Sequence, residues 1–405
     1  MVTVEAAPTS PGRNVPYTSL AGTFIRNGSS SSKATIFFMV CVALTTFFNL
    51  FYSPRGFGNG NQVQAPLASL MRDSRSSPLY IPAAVESYVT ENAQTLGYAH
   101  SDPKFAEACA IWRSPAASTL ENYQNLMAFR EEVENFSKII ENFDAEIPPL
   151  MDEMRQTGGK NWANTCKALR PHPDGIEALF PSQQISKLPF NNGYVEPLLP
   201  PMRHPAFCDD VEETHIVRLD YMVHDFEAMC LSLKPHSRIV LFDLGASLKF
   251  HRGPIVQMMK MYEKFGFMFD HIYAFELTPF DPIEVYETLI PEEYFSAYHW
   301  INAGVSGDPN NRMNPLKSIL KQFNQDDLII FKLDIDTSSI EVPLAYQLLK
   351  DEATKGLVDH FYFEHHVNIK EMERWWGNSM QGSMKDSLEL MGGLREKGVG
   401  AHYWI

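Results

Sequence analysis

The chain has 405 residues, of which 44% are apolar and 20% are charged, so collagen-like and wholly disordered proteins are excluded. This length allows one anchored catalytic domain or two modest domains. Lys and Arg number 34 against 49 Asp and Glu, a formal net charge of −15. Because nucleic-acid binding needs a concentrated basic surface and the basic residues here are scattered, we expect no nucleic-acid partner.

Near its start the chain carries a long apolar run. Residues 34–52 read ATIFFMVCVALTTFFNLFY, without one charge, and at 1.5 Å per residue they would span roughly 28 Å, about the thickness of a bilayer core. The long segment before the run is unlike that of a cleaved signal peptide. We therefore predict one transmembrane helix in a lipid bilayer. Arg13, Arg26 and Lys33 precede it and favour a cytoplasmic N-terminus, as in a type II Golgi or ER membrane protein with a lumenal catalytic domain.

Cysteine content fits a lumenal placement. One cysteine, Cys41, lies in the apolar run, and the other four are Cys109, Cys166, Cys208 and Cys230. Four cysteines permit three disulfide pairings in an oxidising lumen, and four reduced thiols are an equal alternative. Asn135-Phe-Ser137 matches the N-glycosylation sequon and would lie on the lumenal side.

Composition divides the chain into five predicted segments. They are a disordered cytoplasmic tail (1–33), the anchor (34–52), a stem (53–117), a helical neck with a Pro-rich lobe (118–211) and the main domain (212–405). In the neck, apolar residues from Leu126 to Phe143 recur at steps of three and four, which predicts a helix with one apolar stripe. Such a stripe packs onto the downstream domain or, alternatively, pairs two chains as a homodimer.

In the main domain, short apolar runs alternate with amphipathic helical stretches. The runs are RIVLFDLG, HIYAFE, WINAGVS, DLIIFKLDID, VDHFYFEHH and HYWI. This alternation predicts an α/β fold, a Rossmann-like, mostly parallel sheet with helices on both faces. Ligands of such sheets bind beyond the carboxyl ends of the strands, where the strand order reverses.

Two of these strand ends predict a nucleoside site. Gly245, after the first strand, permits a tight turn that brings backbone close to a ligand. Glu276 closes the second strand, where it would accept hydrogen bonds from a ribose diol. The turn lacks the G-x-G-x-x-G pattern, which disfavours a dinucleotide with a pyrophosphate.

Five segments together resemble one known family. They are DLGAS at 243–247, IYAFE at 272–276, NAGVS at 302–306, IIFKLDIDTSSIE at 329–341 and YFEHH at 362–366. In order and approximate spacing they resemble the FkbM-like S-adenosylmethionine-dependent methyltransferases, over roughly residues 236–370.

The resemblance implies a methyltransferase with S-adenosylmethionine as its cofactor, and we predict no metal. The residues it places around that cofactor are Asp243, Gly245, Ala246 and Ser247 on the methionine side, Glu276 at the ribose, and Asn302 and Ala303 near the adenine. Asp334 would close the fourth strand beside the sulfonium or the acceptor.

A hydroxyl acceptor, such as the glycan hydroxyl that a lumenal site would meet, also needs a proton acceptor. The candidates are Asp334 together with His365 or His366, which follow neighbouring strands and would converge on one edge. Because adjacent strand residues face opposite sides, we expect one of the two histidines to enter the site. His251 is a further candidate.

Asp334-Ile-Asp336 also supports a competing interpretation. In GT-A glycosyltransferases a D-x-D element after an apolar strand, often with a later histidine, holds Mn²⁺ beneath a sugar nucleotide. Asp334, Asp336 and His365 or His366 would supply such ligands here. A third alternative is a non-catalytic lumenal protein on the same fold.

Overall fold

A six-stranded sheet, all of its strands parallel, forms the centre of the molecule in the computed structural model. A small antiparallel pair, β1 (Ser186–Lys187) and β2 (Tyr194–Val195), precedes β3 (Ile239–Leu244), β4 (His271–Phe275), β5 (Tyr298–Ile301), β6 (Leu328–Leu333), β7 (His360–Phe363) and β8 (Gly400–Tyr403). The sheet order is β5-β4-β3-β6-β7-β8, the 3-2-1-4-5-6 order of doubly wound folds. The predicted α/β sheet is thus confirmed, and its strand order reverses between β3 and β6.

The central strands are apolar because both faces of the sheet are covered. All six residues of β3 and all six of β6 are buried. Phe242 pairs in register with Phe331, and the two rings stack with centroids 5.3 Å apart. The Phe331 ring lies 6.1 Å from that of Phe361 on β7, which extends the aromatic contact across three strands.

Helices connect successive strands. The described helices of six or more residues are α1 (Ala84–Glu91), α2 (Leu120–Glu141), α3 (Leu150–Thr157), α4 (Trp162–Lys167), α5 (Phe226–Ser232), α6 (Pro254–Lys264), α7 (Ser338–Lys350) and α8 (Met384–Glu396). Helix α6 links β3 to β4, α7 links β6 to β7, and α8 links β7 to β8, as βαβ units require. Helix α8 begins with a capping box of Ser383 and Asp386.

The predicted neck is helix α2, and its apolar stripe packs against its own chain. Leu126, Phe129, Val133, Phe136 and Ile140 are all buried. The Phe136 ring lies 5.6 Å from that of Phe180 in the Pro-rich lobe. The surface through which the alternative would pair two chains is therefore covered within the chain.

The described part of the segment predicted as a stem packs on the rest of the folded chain. Val85 and Val89 of α1 are fully buried. Ile81 exchanges backbone hydrogen bonds with Lys187 of β1. Because α1 buries apolar side chains in the core, this part of the chain packs on the main domain.

Two disulfides decide the pairing that the sequence left open. Cys109 pairs with Cys208 across 99 residues, and Cys166 pairs with Cys230 across 64. The second bond joins helices α4 and α5.

The structure describes residues 79–405 except 97, 99–105, 114–119, 145, 200–207, 209–217, 248–252 and 355. Within this part of the chain, no helix combines the length and apolarity needed to cross a bilayer. The predicted fold class included a transmembrane helix and is corrected on that point. The run at 34–52 and the tail before it lie outside the described residues.

Candidate functional site

A cavity of about 300 Å³ opens at the carboxyl edge of the sheet, beside the point where the strand order reverses. Its wall comes from the segments that follow four adjacent strands. These are Gly245 and Ser247 after β3, 275–278 at the end of β4, 303–305 after β5, and 334–337 with Ile340 after β6. The cavity therefore lies where ligands of open α/β sheets bind.

The loop after β3 is held between its two neighbours. Gly245 has a φ of +90°, and a Cβ at this position would lie 1.6 Å from the backbone oxygen of Asp334. The backbone N–H groups of Gly245 and Ala246 both donate to the Phe275 carbonyl, at 3.0 and 2.9 Å. A residue other than glycine would push the β3 and β6 loops apart, so Gly245 sets the shape of the cavity wall.

Lys332 of β6 lies beneath this loop and is almost completely buried. Its Nζ is 3.1 Å from Asp243 Oδ1 and 3.2 Å from Asp334 Oδ2, and it donates to the Gly245 carbonyl at 3.1 Å. Burial alone would lower the pKa of Lys332, but the two carboxylates raise it above its ordinary value. Lys332 is thus a buried cation that joins β3 to β6. Sequence reasoning missed it, although a lysine inside the apolar run IIFKL was a usable signal.

Asp334 lies in the cavity wall. Its Oδ2 accepts a hydrogen bond from the Trp404 indole N–H at 3.1 Å. Burial raises the pKa of Asp334 well above its ordinary value, and Glu364 raises it further against the opposing effect of Lys332. The raised pKa makes this carboxylate a stronger proton acceptor than an exposed aspartate.

Of the three residues predicted to contact the ribose or the adenine, two line the cavity and one supports a neighbouring loop. Glu276 and Ala303 line the cavity, and Glu276 Oε1 accepts the Thr278 N–H at 2.6 Å. The Asn302 side chain instead donates to the carbonyls of Glu276 and Thr278, at 2.8 and 2.7 Å. Asn302 therefore braces the loop after β4 rather than facing a ligand.

The predicted site residues divide accordingly. Gly245, Ser247, Glu276, Ala303 and Asp334 line the cavity, whereas Asp243, Ala246 and Asn302 support it from behind. Asp243 faces Lys332 because it lies on the buried strand itself. His251 lies outside the described residues.

The two histidines after β7 point in different directions. His365 Nδ1 lies 2.8 Å from Ser387 Oγ on α8, its ring stacks on Phe363, and burial together with His366 lowers the pKa of His365 to about 3. His366 instead turns toward Glu364, with Nε2 3.1 Å from Glu364 Oε2. The structure thus brings His366, and not His365, toward the loop that contains Asp334.

The two carboxylates of the D-x-D element have different partners. Asp334 pairs with Lys332, whereas Asp336, at a φ of +55°, has its Oδ1 3.8 Å from His366 Nε2. Asp336, Glu364 and His366 each offer a ligand atom, and these atoms lie within 4.8 Å of one another. Burial raises the pKa of the nearby Glu341 to about 7, with Glu364 and Asp336 raising it and His366 opposing them.

Comparison of the chain with protein-family models, curated proteins and solved structures finds no match. The functional argument therefore rests on the residues and geometry given above.

Proposed function

We propose that this chain is an S-adenosylmethionine-dependent O-methyltransferase, related to the FkbM-like enzymes, that methylates a hydroxyl group of a glycan. The observation that carries the proposal is the cavity at the reversal of strand order, with the Gly245 turn on one side and Glu276 on the other. That arrangement suits a nucleoside with an attached chain.

The lining residues fit the parts of this cofactor. The Glu276 carboxylate is a hydrogen-bond acceptor at the end of the strand next to the Gly245 turn, which suits a ribose diol. Residues 303–305 and Ile340 provide small and apolar surface for an adenine ring, and Ser247 supplies a hydroxyl on the methionine side. The bound cofactor would supply an electrophilic methyl group.

The remaining task of the protein is to place the acceptor and accept its proton. Proximity and orientation lower the barrier to methyl transfer without covalent participation by the enzyme. Asp334 lies in the cavity wall and has a raised pKa, so we assign the proton-accepting role to this residue rather than to His365. His365 is bonded to Ser387 and is absent from the cavity wall.

The two disulfides support an oxidising compartment as the place of action, since such bonds persist in secretory and extracellular environments. Glycans are abundant hydroxyl compounds in those compartments, which is the reason for proposing a glycan acceptor.

Glu276→Gln tests the cofactor assignment. We expect the full chain to bind S-adenosylmethionine and its demethylated product in calorimetry, and the variant to bind both at least about tenfold more weakly, because an amide accepts less strongly from the ribose diol than a carboxylate. Glu292→Gln is the matched control, since Glu292 is exposed and absent from the cavity wall, and it should bind like the parent.

Two results would contradict the proposal. Binding of a nucleotide sugar that requires Mn²⁺ and is lost in Asp336→Asn, without binding of the methyl donor, would favour the glycosyltransferase. The absence of binding in both experiments would favour a non-catalytic protein.

A further inference from the structure

Beside the cavity, three potential metal ligands meet at the carboxyl ends of two neighbouring strands. Asp336 follows β6, and Glu364 and His366 follow β7. Their ligand atoms lie within 4.8 Å of one another. The two elements are adjacent in the parallel sheet, which is why residues 28 and 30 positions downstream of Asp336 reach it.

His366 is the observation that points to a ligand. Its side chain is fully buried, and neither ring nitrogen has a hydrogen-bond partner among the described residues. Nε2 lies 3.1 Å from Glu364 Oε2 and 3.8 Å from Asp336 Oδ1, yet forms a hydrogen bond with neither. A buried polar group without a hydrogen bond destabilises the folded chain, whereas a cation bound by the imidazole and the two carboxylates would give His366 a partner.

Glu341 adds charge to the same place. It is 1% exposed, and its Oε1 accepts the Ile335 N–H at 2.8 Å while its Oε2 has no partner among the described side chains and backbone. A buried acidic group next to a carboxylate and an imidazole is favourable when a positive ion lies between them.

We infer that Asp336, Glu364 and His366 bind a divalent first-row transition-metal ion. One imidazole with two carboxylates suits Mn²⁺ or Zn²⁺ better than Mg²⁺ or Ca²⁺, which prefer oxygen ligands alone. Three protein ligands leave coordination positions open, as in catalytic rather than structural metal sites.

One of the three ligands also belongs to the cavity wall. The Asp336 side chain is 70% exposed, and Asp336 itself lines the cavity together with Thr337. A water molecule or an acceptor oxygen bound there would have its pKa lowered by the metal. The metal site rests on its own geometry and does not depend on the identity of the nucleoside ligand.

Mn²⁺ titration of the metal-free full chain tests this inference. Electron paramagnetic resonance counts the free ion, and we expect one bound Mn²⁺ per chain at micromolar concentrations. The Trp376 N–H donates to Asp336 Oδ1 and its ring lies 4.6 Å from His366, so part of the tryptophan fluorescence should be quenched on binding. An equal concentration of Mg²⁺ should leave Mn²⁺ bound.

Asp336→Asn should weaken Mn²⁺ binding at least tenfold, and because the side chain is exposed, the substitution should leave the fold unchanged. His366→Gln should do the same and serves as the second variant, with circular dichroism as the check on folding. Glu276→Gln is the matched control, because it removes a carboxylate at the same sheet edge and should leave Mn²⁺ affinity unchanged while it weakens the methyl donor.

The two proposals can also fail separately. If the wild-type chain binds Mn²⁺ but does not bind the methyl donor, the methyltransferase is contradicted and the metal site stands. Absence of Mn²⁺ binding at millimolar concentration, unchanged affinity in Asp336→Asn, or displacement of Mn²⁺ by equimolar Mg²⁺ would each overturn the metal assignment.

Discussion

At the scale of single residues, burial determines whether a histidine is charged. His224, His360 and His402 are buried side by side, with the His224 and His402 rings 5.0 Å apart. His224 Nε2 lies 2.6 Å from the Tyr362 hydroxyl. Burial lowers the pKa of His224 well below its ordinary value, and the neighbouring His402 and His360 lower it further. This imidazole therefore stays neutral in the folded chain while it titrates normally in the unfolded one.

His224→Gln tests that difference. Because the folded-state pKa is depressed, the unfolded chain takes up the proton first as the pH falls below about 6.5, so His224 lowers stability on acidification. Between pH 7 and pH 5 the wild type should lose about 2 kcal/mol of unfolding free energy relative to the variant, at about 1.4 kcal/mol per pH unit. Urea unfolding at both pH values measures this difference. The titratable groups that both proteins share contribute equally to the two free energies and cancel in the comparison. If the unfolding free energies of wild type and variant differ by the same amount at both pH values, His224 is not held neutral in the folded chain.

At the scale of elements, the helices before the sheet are joined covalently as well as by packing. The bond between Cys166 and Cys230 connects α4 to α5. The Trp162 indole N–H, also on α4, donates to the Cys230 carbonyl at 3.0 Å. Short helices of this kind gain little from their own backbone hydrogen bonds, so their stability depends on such tertiary links.

Replacing both Cys166 and Cys230 with serine should lower the free energy of unfolding by about 4 kcal/mol, because the cross-link restricts the unfolded chain across 64 residues. Urea unfolding under oxidising conditions gives the value. A reductant should then destabilise the wild type by more than it destabilises the variant, which retains only the Cys109–Cys208 bond. Equal stability of variant and wild type in the absence of reductant would show that this bond does not form.

At the scale of the whole molecule, a buried ionic network joins the first described residues to the last strand. Arg395 of α8 is fully buried, with Nη1 3.2 Å from Glu86 Oε2 on α1 and Nη2 3.3 Å from Glu196 Oε1 in the lobe. It also donates to the Ala401 carbonyl on β8, and His402 Nδ1 lies 2.9 Å from Glu196. One guanidinium therefore holds three parts of the chain that are far apart in sequence.

Arg395→Met should destabilise the molecule by about 3–5 kcal/mol, because it leaves Glu86 and Glu196 buried without their counter-ion. Arg155→Met is the control: the Arg155 side chain is 47% exposed, and its loss should change stability by less than about 0.5 kcal/mol. Chemical denaturation of the wild type and both variants measures the changes in the free energy of unfolding. A loss in Arg395→Met no larger than that in the control would mean that the network contributes no net stability.

Local patterns in the sequence determined the sheet and the place of the cavity. Apolar runs such as RIVLFDLG and DLIIFKLDID become strands because their side chains are buried on both faces, and parallel strands end at one edge. Gly245, Glu276 and Asp334 were therefore predictable as neighbours, because each follows the end of its own strand.

The tertiary structure alone decided how side chains at that edge are used. Asp243 pairs with the buried Lys332, Asn302 braces a loop, and His366 rather than His365 lies near Asp336. The disulfide pairing and the burial of α1 likewise depend on segments that meet only in the folded chain. The physical reason is that strand formation follows from the burial pattern of a few consecutive residues, whereas the direction of a side chain in a loop depends on contacts with residues distant in sequence.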